Sequence, residues 1–117
     1  MTKPITIYGI KNCDTMKKAR AWLDKRGVAY SFHDYKAAGI DRERLEGWSK
    51  KVGWEILLSR AGTTFRKLPE KDKSGLDARK ALALMLAQPS MIKRPVLEVV
   101  GDKLLVGFSP EQYAEAV

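Results

Sequence analysis

One thiol dominates the chemistry this sequence can offer. The chain has a single cysteine, Cys13, and a single histidine, His33. A thiol attacks as its thiolate, and an unperturbed cysteine with a pKa near ~8.5 is only a few per cent ionised at neutral pH. Cys13 follows the β-branched, aromatic run Ile5-Thr6-Ile7-Tyr8, closed by Gly9, and precedes apolar residues at Met16, Ala19, Trp22 and Leu23, a helical spacing. A sulfur at such a strand-to-helix junction faces the unpaired backbone N–H groups of the first helical turn. Lowering its pKa by about two units takes roughly 2.7 kcal/mol, and a helix N-terminus supplies up to about 1 kcal/mol of that. The remainder has to come from cations, with Lys11, Arg60 and Arg94 as the candidates. Position alone leaves two readings of Cys13: an activated nucleophile, or an inert small apolar residue of the core.

The neighbours of the thiol narrow its chemistry. One cysteine excludes an intramolecular disulfide and a metal site built on several cysteines, and with one histidine it argues against a buried zinc site. The stretch Cys13-Asp14-Thr15-Met16 is not a Cys-x-x-Cys motif, so no resolving thiol exists in the chain. Disulfide exchange at Cys13 therefore needs an external thiol, of which glutathione is the abundant intracellular one. His33 lies in a strand-like run and reads as a surface or packed structural histidine. The Arg94-Pro95 bond is either a cis placement of backbone near the thiol or an ordinary strand-entry proline.

These residues need a scaffold. At 117 residues the chain suits one compact domain with a real core. The helix after Cys13 has Lys25 and Arg26 in its last turn and Gly27 as a stop. Val28 to Tyr35 then alternates toward a second strand, which completes a βαβ unit with parallel strands and a right-handed crossover. Asp41 caps a helix carrying Leu45, Trp48 and Val52, ended by Gly53. Trp54 to Leu58 reads as a short helix and Arg60 to Thr64 as a loop or a broken turn. A longer helix follows, with Leu76, Ala81, Leu82 and Met85 on one face and Pro89 as its stop. Val96 to Val100 and Lys103 to Val106 are apolar runs joined by Gly101-Asp102, a tight hairpin turn. Ser109-Pro110-Glu111-Gln112 places Ser at N-cap, Pro at N1 and Gln at N3 of a last helix. The order is βαβ, a helical insert over about 41–88, then ββα. It fits an α/β, thioredoxin-like mixed four-stranded sheet within a single domain, 1–117.

Composition sets the outer limits. Hydrophobic residues are 44% and charged residues 31% of the chain, an ordinary soluble balance. No apolar run approaches the ~18 residues of a membrane span, and the N-terminal residues lack a signal peptide's apolar stretch. A cytoplasmic location is the expectation. The net charge of +8 is spread along the chain without a block of like charges. It reads as a solvated basic surface, with an anionic ligand site second and nucleic-acid binding last.

Taken in order, Ile5-Thr6-Ile7-Tyr8-Gly9-Ile10-Lys11-Asn12-Cys13-Asp14-Thr15, Ser59-Arg60-Ala61-Gly62, Ile92-Lys93-Arg94-Pro95-Val96, the hairpin and Gly107-Phe108-Ser109-Pro110-Glu111 carry a resemblance over nearly the whole chain. The sequence resembles the arsenate reductase (ArsC) and Spx family, and is most similar to its short YffB-type branch. The resemblance implies a thioredoxin-like fold with a helical insert and Cys13 as the nucleophile. Lys11, Asn12, Thr15, Arg60 and Arg94 are implied to bind an anion or steady the thiolate, and Pro95 to be a cis proline beside them. No bound cofactor is implied. Glutathione as co-substrate, glutaredoxin as a further partner and a monomeric state are the expectations.

Two positions depart from the family pattern. Arsenate reductases of this family carry a third arginine after the hairpin, where this chain has Phe108. Each lost charge-assisted contact is worth about 1.5–3 kcal/mol to an oxyanion. Spx regulators, which bind RNA polymerase, often carry Cys-x-x-Cys, where this chain has Met16. The leading expectation is a glutathione-dependent thiol reductase, ahead of arsenate reduction and of a non-catalytic regulator.

Overall fold

The structure is a computed structural model that describes residues 4–11, 13–99 and 103–116. In chain order its elements are β1 (Ile5–Gly9), α1 (Asp14–Lys25), β2 (Ser31–Asp34), α2 (Tyr35–Ala38), α3 (Arg42–Val52), α4 (Trp54–Leu57), α5 (Thr63–Arg66), α6 (Glu70–Lys73), α7 (Ala78–Ala87), a 3-10 turn (Pro89–Met91), β3 (Val96–Val99), β4 (Leu104–Val106) and α8 (Pro110–Ala116). The chain divides into two compact units, Met1–Ala38 with Arg94–Val117, and Gly39–Lys93.

The first unit holds a mixed four-stranded sheet in the order β2-β1-β3-β4. β1 runs parallel to β2 and antiparallel to β3, and β3 is antiparallel to β4. This is the thioredoxin-like arrangement that the element order implied. Side chains alternate across it. Ile5, Ile7, Leu97 and Val99 pack on one face with Met16, Ala19 and Leu23 of α1 and Tyr113 of α8. Each fully buried aliphatic side chain of this kind contributes roughly 1.5–3 kcal/mol. The cross-strand partners Tyr8, His33 and Val96 share the opposite face with Glu98.

Local signals explain the ends of the elements. α1 stops where Gly27 adopts φ +69, a left-handed conformation that suits glycine. The Val28 N–H then donates to the Leu23 carbonyl at 3.0 Å. Val28 therefore closes the helix rather than opening the strand, and β2 is shorter than the expected Val28–Tyr35. Its last expected residue, Tyr35, begins α2 instead. Val99 and Lys103 exchange backbone hydrogen bonds of 2.9 and 3.2 Å, which ties β3 to β4. The expected Gly101-Asp102 turn lies outside the described residues. Ser109 precedes α8 as expected, its Oγ accepting from the Gln112 N–H at 3.4 Å and its carbonyl from the Tyr113 N–H at 2.9 Å.

The second unit is helical. Asp41 caps α3 by accepting from the Arg44 N–H at 2.7 Å, and Asp77 caps α7 by accepting from the Lys80 N–H at 2.8 Å. Such caps are worth about 1 kcal/mol each. Leu76 precedes α7 rather than lying on it. Leu45, Trp48, Leu57, Ala81 and Met85 are buried where α3, α4 and α7 pack together. An isolated antiparallel bridge joins Leu58 to Ile92. Its two hydrogen bonds run from the Ser59 N–H to the Met91 carbonyl and from the Lys93 N–H to the Leu57 carbonyl, both 2.7 Å. No helix among the described residues is long and apolar enough to cross a membrane.

Candidate active site

Cys13 is the N-cap of α1. Its backbone is extended (φ −124, ψ 129), and its carbonyl accepts the first intrahelical bond, from the Lys17 N–H at 2.9 Å. An N-cap side chain projects toward the N–H groups of the second and third helical residues, here Thr15 and Met16. The half-buried thiol closes no regular cap hydrogen bond, and it packs against the sheet core on one side. Partial burial opposes its ionisation. The Met16 N–H, a hydrogen bond from Arg94, the Thr15 N–H and the charge of Arg94 outweigh that burial, and together they hold the thiol below its ordinary value. Neutral sulfur is a weak acceptor, so these donors act mainly on the thiolate.

The sheet brings Arg94 to the thiol. Tyr8 pairs with Val96 across the antiparallel β1–β3 ladder. Arg94 lies two residues before Val96, and its side chain hydrogen-bonds the Cys13 sulfur. The Arg94–Pro95 peptide bond is cis. The Pro95 carbonyl accepts from the Gly107 N–H at 2.8 Å, which fixes this turn to the end of β4.

The other residues named from sequence lie in different settings. Lys11 is exposed in the turn before Cys13 and is not among the groups that shift the thiol. Asn12 lies outside the described residues. Thr15 is exposed on the first turn of α1, and its backbone N–H, rather than its hydroxyl, acts on the sulfur. Arg60 belongs to the helical unit, where its guanidinium lies 5.4 Å from the Trp54 ring centre. There Arg60, Ser59 and Lys93 line a groove of about 410 Å³ with Glu55, Leu58 and Ala61. A guanidinium and an ammonium beside a hydroxyl suit a carboxylate or another oxyanion, with Glu55 as an opposing charge. Phe108 packs against the sheet core, its ring edge-on to Tyr113 at 5.0 Å between centres. It is a half-buried apolar residue in the place where an arginine was expected from the family pattern.

A group of aromatic residues escaped the sequence reading. The rings of Tyr8 and His33 are 4.9 Å apart, and Tyr35 lies 6.4 Å from Tyr8 and 6.2 Å from His33. Tyr8 donates its hydroxyl to Glu98 at 3.1 Å. Tyr35 is 2% exposed, and its hydroxyl is buried without a hydrogen-bond partner among the described residues. Burial holds its phenol well above the ordinary tyrosine range. Tyr8 adds to that effect and the positive charge of Arg94 opposes it. The period-2 alternation of β1 and β2 could have placed Tyr8 and His33 on one face, but nothing local reveals that Arg94 comes to the same place.

A mixed sheet with a thiol capping its first helix, and an arginine before a cis proline acting on that thiol, defines a thioredoxin-fold thiol protein. The likeness extends over the whole domain. The chain belongs to the ArsC family, whose sequence profile matches residues 8–116. It is similar to the solved YffB protein, at 65% identity over 96% of this chain and 97% of that one, with a TM-score of 0.92. An arsenate reductase (ArsC) related protein from Brucella melitensis is 63% identical over 98% of this chain and 95% of that one, with a TM-score of 0.78. The global transcriptional regulator Spx of Streptococcus mutans is 24% identical over 110 residues, 92% of this chain and 79% of the regulator.

Proposed function

We propose that this chain is a glutathione-dependent thiol reductase with Cys13 as its only nucleophile. The observation that carries the reading is the thiol's setting, at a helix start beside Arg94, which favours the thiolate in a chain with no second cysteine. The Cys13 thiolate attacks the glutathione sulfur of a glutathione-containing disulfide. A Cys13–glutathione bond forms, the original S–S bond breaks, and the other sulfur leaves as a thiolate that takes a proton from water. A second glutathione thiolate then attacks the glutathione sulfur on Cys13. It leaves as glutathione disulfide and restores the Cys13 thiolate. In sum one external glutathione thiol passes to the disulfide level as the substrate sulfur returns to the thiolate, while the glutathione sulfur already in the substrate disulfide stays at that level. Arg94 steadies the thiolate as attacking and leaving group.

Incubation with glutathione disulfide followed by intact mass measurement tests this reading. One glutathione adduct on the wild type, lost with added glutathione and absent from Cys13→Ser, is expected. No adduct, or an adduct that persists in Cys13→Ser, overturns it. In the same preparation, turnover of arsenate with glutathione and glutaredoxin is expected to stay at the Cys13→Ser level, because Phe108 supplies packing rather than a third cation.

A further inference from the structure

We propose that the Arg94 guanidinium has two stations: the Cys13 sulfur while it is a thiolate, and the Tyr35 hydroxyl when the sulfur is uncharged or held in a disulfide. The proposal rests on the reading of Cys13 as the reactive thiol and makes Tyr35 a positioning residue for it.

The starting observation is an unpaired polar atom in a place where a phenylalanine would pack as well. The Tyr35 hydroxyl is fully buried and has no hydrogen-bond partner among the described residues. Leaving a buried hydroxyl unpaired is costly, so its presence calls for a partner in another state. Tyr113 shows the contrast. Its hydroxyl is also buried and unpaired among the described residues, and burial is what raises its phenol. At Tyr35 the charge of Arg94 does reach the hydroxyl, and the same guanidinium acts on the Cys13 sulfur.

The sheet explains why one guanidinium serves both groups. Val96 is the cross-strand partner of Tyr8, and His33 is its partner on the other side. Arg94 lies two residues before Val96 and Tyr35 two residues after His33. Both stand at the same end of the sheet on the two flanks of β1, Tyr35 just after β2 and Arg94 just before β3. Tyr35 is held there by its contacts with the Tyr8 and His33 rings. The other titratable groups on this face are Tyr8, His33 and Glu98, and Glu98 already accepts from Tyr8.

The chemical logic follows from charge. A thiolate is the better acceptor for a guanidinium and takes Arg94 first. In the mixed disulfide the sulfur has lost its charge, and a cation left beside it would gain little. A neutral phenol oxygen is then the available acceptor. Arg94 turning to it clears the face of the disulfide for the incoming glutathione thiolate.

The test compares wild type, Tyr35→Phe, Arg94→Gln and the double variant, with near-ultraviolet circular dichroism to confirm the native aromatic packing. Two quantities are read. One is the pH midpoint of Cys13 alkylation. The other is the equilibrium constant for glutathione disulfide plus the Cys13 thiolate giving the mixed disulfide plus the glutathione thiolate, above that midpoint. Tyr35→Phe removes the second station and penalises only the uncharged sulfur. We expect the midpoint to fall by about half a unit and the constant to fall about threefold, the same free energy read twice. In the Arg94→Gln background both effects should vanish. A midpoint that rises in Tyr35→Phe means Tyr35 only holds Arg94 at the sulfur, and overturns the proposal. So does an unmoved midpoint, or an effect that survives without Arg94. A wild-type midpoint near ~8.5 overturns the reading of Cys13 itself, whereas a depressed midpoint unaffected by Tyr35→Phe overturns the two stations alone.

Discussion

The Met16 sulfur occupies the space where a side chain at Gly9 would begin. Met16 is 1% exposed and sits against the end of β1, three residues beyond the thiol. Glycine at this strand end is therefore a condition for the helix that presents Cys13 to lie close to the sheet. Gly9→Ala should cost about 1–3 kcal/mol, the usual penalty for overpacking a filled core. Urea unfolding checks this, and an unchanged midpoint would mean that Met16 can move aside.

Met16 also stands where a Cys-x-x-Cys motif has its second thiol. Met16→Cys should convert the site from an external to an internal resolving mechanism. With glutathione disulfide the variant should finish as an internal disulfide, and the Cys13–glutathione adduct should not accumulate by mass spectrometry. The lost packing should cost on the order of 2 kcal/mol in the reduced protein. A stable glutathione adduct on the variant would show that the new thiol does not reach Cys13.

The thiol's environment sets a sign for its pH dependence. The folded pKa of Cys13 is lowered, so its contribution to stability is present above the unfolded value of about 8.5 and is lost as pH falls through the folded value. Alkylation of the wild type should therefore show a midpoint below that of a free thiol. Arg94→Gln should raise the midpoint, because it removes the charge and replaces the guanidinium donor with a shorter, neutral amide. Alkylation rates between pH 5 and 10 test both statements, and a midpoint identical in the two proteins would remove Arg94 from the site.

The buried tyrosines act in the opposite sense. The phenols of Tyr35 and Tyr113 titrate higher in the folded chain than in the unfolded one. Their contribution is fully present below pH ~10 and declines as pH rises beyond it, since the unfolded chain then ionises first. Thermal unfolding should weaken steeply above that pH. Tyr113→Phe should lessen the alkaline loss and leave neutral-pH stability unchanged or higher by up to about 1 kcal/mol, because the removed hydroxyl has no partner. A marked loss of neutral stability would reveal a partner for it.

The parts of this fold that sequence disclosed are those set by neighbours in the chain. Ile5 to Gly9 followed by the spacing of Met16, Ala19 and Leu23 placed Cys13 at a helix start. Asp41, Gly53 and Ser109-Pro110 marked helix ends by their own backbone chemistry. What stayed hidden depends on pairing over long sequence distances. Arg94 could be named as a cation but not chosen over Lys11, because only the β1–β3 ladder brings it to the sulfur. Tyr35 read as the end of a strand because α2 is a single turn, too short for any helical period. α6 escaped for the same reason.

The paired hydrogen bonds of the Leu58–Ile92 bridge have a consequence for how the helical unit can vary in length. They make residues 60–90 a closed loop whose two feet stand one strand spacing apart. The free energy of closing a loop grows only with the logarithm of its length, about 0.6 kcal/mol for each doubling. Helices inside the loop can therefore be lengthened, shortened or exchanged at little thermodynamic expense, as long as the two feet stay paired. Evolutionary drift in chain length should gather between those feet, and the bridge itself is the fixed anchor for any redesign of this region.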